Sequence, residues 1–116
     1  MDQEEMKRRT KEFAKRVIKV CRQLPNTREG RLIGNQLFRA GTSVAANYRA
    51  ACRARSKAEF VAKLGIVLEE ADESLFWLEI LVETEIMPAH LLAPLMQEAD
   101  ELVAIFVTSI NTAKGR

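Results

Sequence analysis

Residues 39–60 read RAGTSVAANYRAACRARSKAEF, and the fold turns on them. Arg39, Ser43 and Asn47 are spaced four apart, so on a helix they stack along one face. Around them stand Ala40, Gly41, Ala45, Ala46, Ala50 and Ala51, side chains small enough to let a second helix come close. Ser56 followed by Glu59 is a capping box, in which the Ser oxygen takes an orphan amide and the Glu reaches back. An apolar run then begins at Phe60. The sequence thus predicts a helix ending near Arg53 and another starting near Ser56, and a connection that short forces the two antiparallel.

Outward from this hinge the chain predicts four helices, at about 3–24, 27–53, 57–84 and 89–112. In the first, Phe13, Val17, Val20, Cys21 and Leu24 recur at threes and fours, the seam of an amphipathic helix, before Pro25 stops it. Asn26, with Glu29 three residues on, is the expected cap of the second. Gly30, Gly34 and Gly41 each cost about 1 kcal/mol against Ala within that helix, a cost that close helix contacts offset. The third helix carries a stripe of Phe60, Leu64, Val67, Ala71, Leu75, Leu78 and Val82. Ile66, Phe76 and Trp77 fall outside it, more apolar surface than one buried face needs, which predicts self-association. The fourth follows Met87-Pro88, tolerates Pro94 only near its first turns, and has Leu95, Ala99, Leu102, Ile105, Phe106 and Ile110 as its seam. The fold class is all-α: an up-down-up-down antiparallel four-helix bundle in a single domain, assembling as a homo-oligomeric ring.

The pattern Arg39-x-x-x-Ser43-Val44-x-Ala46-Asn47, then Arg55-Ser56-x-x-Glu59-Phe60 and a helix with Leu64, resembles the 23S rRNA intervening sequence proteins, a four-helix-bundle family. The similarity spans roughly Leu32 to Leu81, with matching helices on either side. Members usually follow the Asn with a small apolar residue and a Glu-Gly pair, where this chain has Tyr48, Arg49, Ala50 and Ala51. They also tend to carry a Gly-Ser pair where this chain has Glu70-Ala71-Asp72-Glu73. The resemblance implies a small cytoplasmic bacterial bundle, often a homopentamer, without established activity. It also implies a fold shared with the accessory protein of diversity-generating retroelements, which holds nucleic acid on a basic ring.

At 116 residues the chain is long enough to bury a core without staples. Cys21 and Cys52 stand singly in helical patterns without metal spacing, so both are expected to be free, buried thiols. The N-terminal MDQEEMKRR has no apolar core, and no apolar run approaches the roughly 18 residues that span a bilayer, so a cytoplasmic protein is expected. No phosphate loop, nucleophile–base pair or metal constellation appears, and His90 is an isolated surface residue at the start of the fourth helix. The carboxylates Glu69, Glu70, Asp72 and Glu73 read as a solvated face, since metal bundles use Glu-x-x-His on paired helices. No enzyme activity, cofactor, metal, membrane or small-molecule substrate is expected.

The charge layout says most about function. Residues 1–63 hold 16 Lys or Arg and 6 Asp or Glu, a balance of +10; residues 64–116 hold 2 and 10, a balance of −8. The net +2 therefore hides a strong dipole. In the expected topology the start of helix one, the two-three turn and the end of helix four share a pole. That pole collects Lys7, Arg8, Arg9 and Lys11, then Arg49, Arg53, Arg55 and Lys57, with Lys114 and Arg116. One reading makes these solvated charges, some complementing helix C-termini. The other makes them a phosphate-binding surface for RNA or DNA, multiplied by ring assembly. Basic and acidic surfaces on one subunit also permit a head-to-tail contact that closes into a ring.

The stripe of Arg39, Ser43 and Asn47 has two readings as well. Counting from the two-three turn sets Arg39 opposite Glu69 and Glu70, as a structural ion pair; alternatively the stripe belongs to a binding surface. Two function classes lead: a nucleic-acid-associated accessory factor, and a protein–protein assembly module that binds no nucleic acid.

Overall fold

A computed structural model describes residues 2–115. Four helices follow one another, α1 (Gln3–Gln23), α2 (Arg28–Cys52), α3 (Lys57–Glu83) and α4 (Ala89–Ala113), with no strand among the described residues. Each packs antiparallel on the next, so the bundle closes in the order α1–α2–α3–α4, and α1 and α4 meet least closely of the neighbouring pairs. The body measures 44 × 20 × 19 Å, its long axis matching a helix of about 25 residues at roughly 1.5 Å per residue.

Local chemistry sets each boundary. Asp2 caps α1, its Oδ1 accepting from the Glu5 amide at 2.8 Å. The cap of α2 is Thr27, whose Oγ1 accepts from the Gly30 amide at 3.1 Å, and not the expected Asn26. Asn26 is committed elsewhere: its Oδ1 accepts from Arg31 Nη1 at 2.9 Å. At α3 the Glu59 amide donates to Ser56 Oγ at 3.1 Å, as the capping box requires. Glu59 Oε2 reaches one residue further back than the motif prescribes and accepts from the Arg55 amide at 3.3 Å. The far end of α3 closes with Glu85 N–H on the Val82 carbonyl and Ile86 N–H on the Leu81 carbonyl, both at 3.0 Å. This is a Schellman turn with Glu85, at φ 61°, in the left-handed position usually held by glycine.

The core lies along the common axis. Phe13 and Val17 from α1, Leu37 and Val44 from α2, Leu64 and Leu78 from α3, and Leu102 and Phe106 from α4 have no exposed surface. Burying each large apolar side chain of this kind stabilises by roughly 1.5–3 kcal/mol. Tyr48 leans on Phe106 with ring centroids 5.8 Å apart. Two polar residues share this interior. Thr10 Oγ1 donates to the Met6 carbonyl at 2.9 Å and Ser74 Oγ to the Glu70 carbonyl at 2.8 Å, so each is satisfied within its own helix. Gly41 marks the closest approach of α1 and α2: a Cβ there would stand 2.6–2.9 Å from three carbons of Val17. Cys21 and Cys52 are free and half-buried, with the Cys21 thiol donating to the Gly34 carbonyl at 3.6 Å and pushed up in pKa by burial.

Candidate nucleic-acid interface

The packing just described leaves a cleft of about 760 Å³ between the start of α1 and the end of α2. Lys7, Arg8 and Lys11 line its α1 wall; Arg49 and Arg53 line the α2 wall. Lys7 and Lys11, like Arg49 and Arg53, are one helical turn apart, so each wall presents cations about 6 Å apart along its axis. The floor is Thr42, Ala45 and Ala46, which leave room because the large α2 side chains Val44 and Tyr48 point into the core. Among the described residues Arg8, Lys11, Arg49 and Arg53 form no ion pair, while Lys7 is held by Glu4 at 2.7 Å on the rim. Arg49 and Arg53 also complement the negative C-terminus of α2. Five of the eight predicted basic residues thus converge on one cleft.

The other three do not. Arg9 is turned toward α4. Its Nε and Nη2 donate to the two carboxylate oxygens of Glu98 at 2.8 Å each, and Nη2 also donates to Glu101 Oε1 at 2.9 Å. A step of about 100° per helical residue separates it from Arg8 and carries it out of the cleft. Its hydrogen bonds to the Glu98 carboxylate hold the Arg9 guanidinium pKa above the ordinary arginine value. Arg9 is therefore a structural clamp across the α1–α4 seam. Arg55 and Lys57 are exposed in the α2–α3 turn and lie outside the cleft lining, as does Lys114; Arg116 falls outside the described residues.

The polar stripe resolves into separate tasks. Arg39 Nη1 donates to Glu70 Oε2 at 3.0 Å and Nη2 to Glu73, whose Oε2 also accepts from Trp77 Nε1 at 3.2 Å. Glu70 and Glu73, three apart, share the face of α3 that meets α2. Glu69 is rotated away to solvent, so the expected Arg39–Glu69 pairing does not form. Asn47 Nδ2 donates to the Ser43 carbonyl at 2.9 Å, turning back on its own helix. Half-exposed Arg39 crosses the α2–α3 seam much as Arg9 crosses the α1–α4 seam.

The outer face of α3 keeps apolar groups in solvent, with Ile66 43% and Phe76 48% exposed. Just before Ile66 in the same helix, Gly65 has open space where a Cβ would stand. Among the described residues no set of three or more His, Cys, Asp or Glu is placed to hold a metal ion, and no helix is long and apolar enough to cross a membrane.

The sequence reading missed the cleft floor, the Glu4–Lys7 pair and the carboxylates that hold Arg9. Ala45 and Ala46, each three or four residues before Arg49, were the one available sign of the floor.

Comparison with known proteins agrees with this architecture. Among curated proteins no sequence matches the chain. One solved structure is similar over 90% of this chain and 96% of its own, at 34% identity and a TM-score of 0.84. It is a Bacteroides thetaiotaomicron protein of unknown function from the S23 ribosomal protein family. The family model described as 23S rRNA-intervening sequence protein matches residues 2–108. With that match running through all four helices, the chain belongs to the 23S rRNA-intervening sequence protein family.

Proposed function

We propose that this protein is a non-enzymatic accessory factor that binds the phosphate backbone of RNA or DNA in the α1–α2 cleft, acting in the cytoplasm as a ring-shaped homo-oligomer. The observation that carries the reading is the convergence of Lys7, Arg8, Lys11, Arg49 and Arg53 on one cleft, four of them without an ion pair among the described residues. A solvated surface gains little from gathering like charges, which repel one another; a polyanion removes that repulsion and releases its counterions. Five phosphate contacts give a salt slope of about −4.5 on B-form DNA. Fluorescence anisotropy with a structured RNA and a DNA duplex across a salt series is the test, and a flat signal at low salt rules the reading out.

A second reading rests on a different observation. Ile66 and Phe76 are exposed on α3, and Gly65, next to Ile66, lacks a side chain whose absence relieves nothing inside the subunit. A helix-interior glycine costs about 1 kcal/mol against alanine, a cost that close approach of another chain offsets. This favours assembly through α3, with the pentamer common in the family as the expected closed ring, and it stands even without nucleic acid. Light scattering in moderate salt separates the cases, since a monomer mass removes the ring and a ring without anisotropy change leaves a pure assembly module.

A further inference from the structure

The cleft has a property that narrows its ligand, and the narrowing rests on the phosphate-binding reading above. Proteins that hold single strands combine a cationic track with aromatic rings on which unpaired bases stack. Here the cationic track is present and the rings are not: the lining is Lys, Arg, Thr, Ala and Glu4. The chain's five phenylalanines, one tyrosine and one tryptophan all sit elsewhere. Phe13, Phe106 and Tyr48 are sealed in the core and Phe60 packs against it. Exposed Phe38 borders a separate cleft at the other end of α2, and Phe76 and Trp77 form an edge-to-face pair on α3.

The geometry of the charges points the same way. Cations stand on both walls of an open furrow with a floor of Thr42, Ala45 and Ala46, a shape that receives a projecting sugar–phosphate ridge from two sides. A duplex presents such a ridge with its bases already stacked and paired. A single strand offers phosphates too, but at lower charge density, and its exposed bases find no platform here. We infer that the α1–α2 cleft selects double-stranded nucleic acid, taking one backbone ridge of a duplex without reading its sequence.

The magnitude follows from counterion release. With five contacts the affinity falls by about 4.5 decades per decade of salt on a duplex and by about 3.5 on a single strand. For equal affinities at about 1 M salt, the difference in slope separates the two by about tenfold at 0.1 M. The experiment is competition anisotropy with the intact protein, using blunt RNA and DNA duplexes of mixed sequence against oligouridylate and oligothymidylate of equal length. The expected result is a duplex preference of about tenfold at 0.1 M salt, unchanged when the duplex sequence is permuted and reduced in parallel for Lys11→Gln and Arg49→Gln. Equal or tighter binding of the single strands overturns duplex selection while leaving phosphate binding in place. Loss of duplex binding on changing sequence overturns the backbone-only mode. Failure of every probe to bind overturns the phosphate-binding reading itself, and this inference with it.

Discussion

Replacing Arg9 with Met separates the clamp from the cleft. The Arg9 side chain is 24% exposed and that of Glu98 16% exposed, and two parallel hydrogen bonds of 2.8 Å join them. Met keeps much of the aliphatic stem but leaves Glu98 largely covered without its cation. Hydrogen bonds to charged groups contribute about 1.5–3 kcal/mol, and fully buried pairs cost more to break. Partial exposure sets the expected loss near 2 kcal/mol. An unfolding entropy of about 2.1 cal/mol/K per residue over 116 residues makes that a fall in Tm of roughly 8 °C. Chemical denaturation of Arg9→Met, Glu98→Gln and the double variant measures the coupling directly, because the double variant should lose little more than Arg9→Met alone. Binding of a nucleic-acid duplex should change by no more than the loss of one distant charge. Native stability together with abolished binding would refute the assignment, returning Arg9 to the binding surface and emptying the clamp of meaning. Arg49→Gln is the mirror control, weakening binding with stability unchanged within about 0.5 kcal/mol.

The two glycines should respond in opposite directions. Gly41→Ala forces a methyl against Val17 and should destabilise by about 1–3 kcal/mol, whereas Gly65→Ala meets open space and should stabilise the isolated subunit by up to about 1 kcal/mol; urea midpoints report both. Glu85→Gly relieves a left-handed residue that costs an L-amino acid about 1–2 kcal/mol, less the added chain entropy of glycine, so a gain of about 0.5–1 kcal/mol is expected in thermal unfolding. Hydrogen bonds from Gln97 and then Arg9 hold the Glu101 carboxyl below its ordinary pKa of 4.5. Its stabilising share is therefore complete above that value and disappears as pH falls through the lower folded-state value, so wild type should lose more stability on acidification to about pH 3 than Glu101→Gln does.

The elements legible in the chain were those specified by neighbours in sequence. The Ser56–Glu59 box fixes its helix start within four residues, and the spacing of Leu64, Val67, Ala71 and Leu78 identifies the buried face of α3 without outside help. Gly34 and Gly41 were rightly expected at close contacts, since a glycine inside a helix needs some compensation. The illegible features depended on partners far along the chain. Lys7, Arg8 and Arg9 look alike in sequence, yet Glu98, 89 residues away, takes only the third. The core burial of Thr10 and Ser74 rests on bonds to their own helix carbonyls, which leave no trace in hydrophobic periodicity. Asn26 and Thr27 are both good caps; Thr27 takes the Gly30 amide while Asn26 is committed to Arg31, a choice that residue type does not reveal. Glu85 in a left-handed turn breaks the glycine rule outright.

The weak α1–α4 edge makes the bundle an unevenly fastened tube. Three of its edges are broad zippers of interlocking side chains, and the fourth, narrower, is crossed by the Arg9 fork. Transient breathing should begin there, with the first and last rods swinging apart while the middle pair stays joined, so backbone amides of α1 and α4 trade deuterium before those of α2 and α3. Because the cleft leans on α1, a polyanion seated in it also braces one leaf of that hinge.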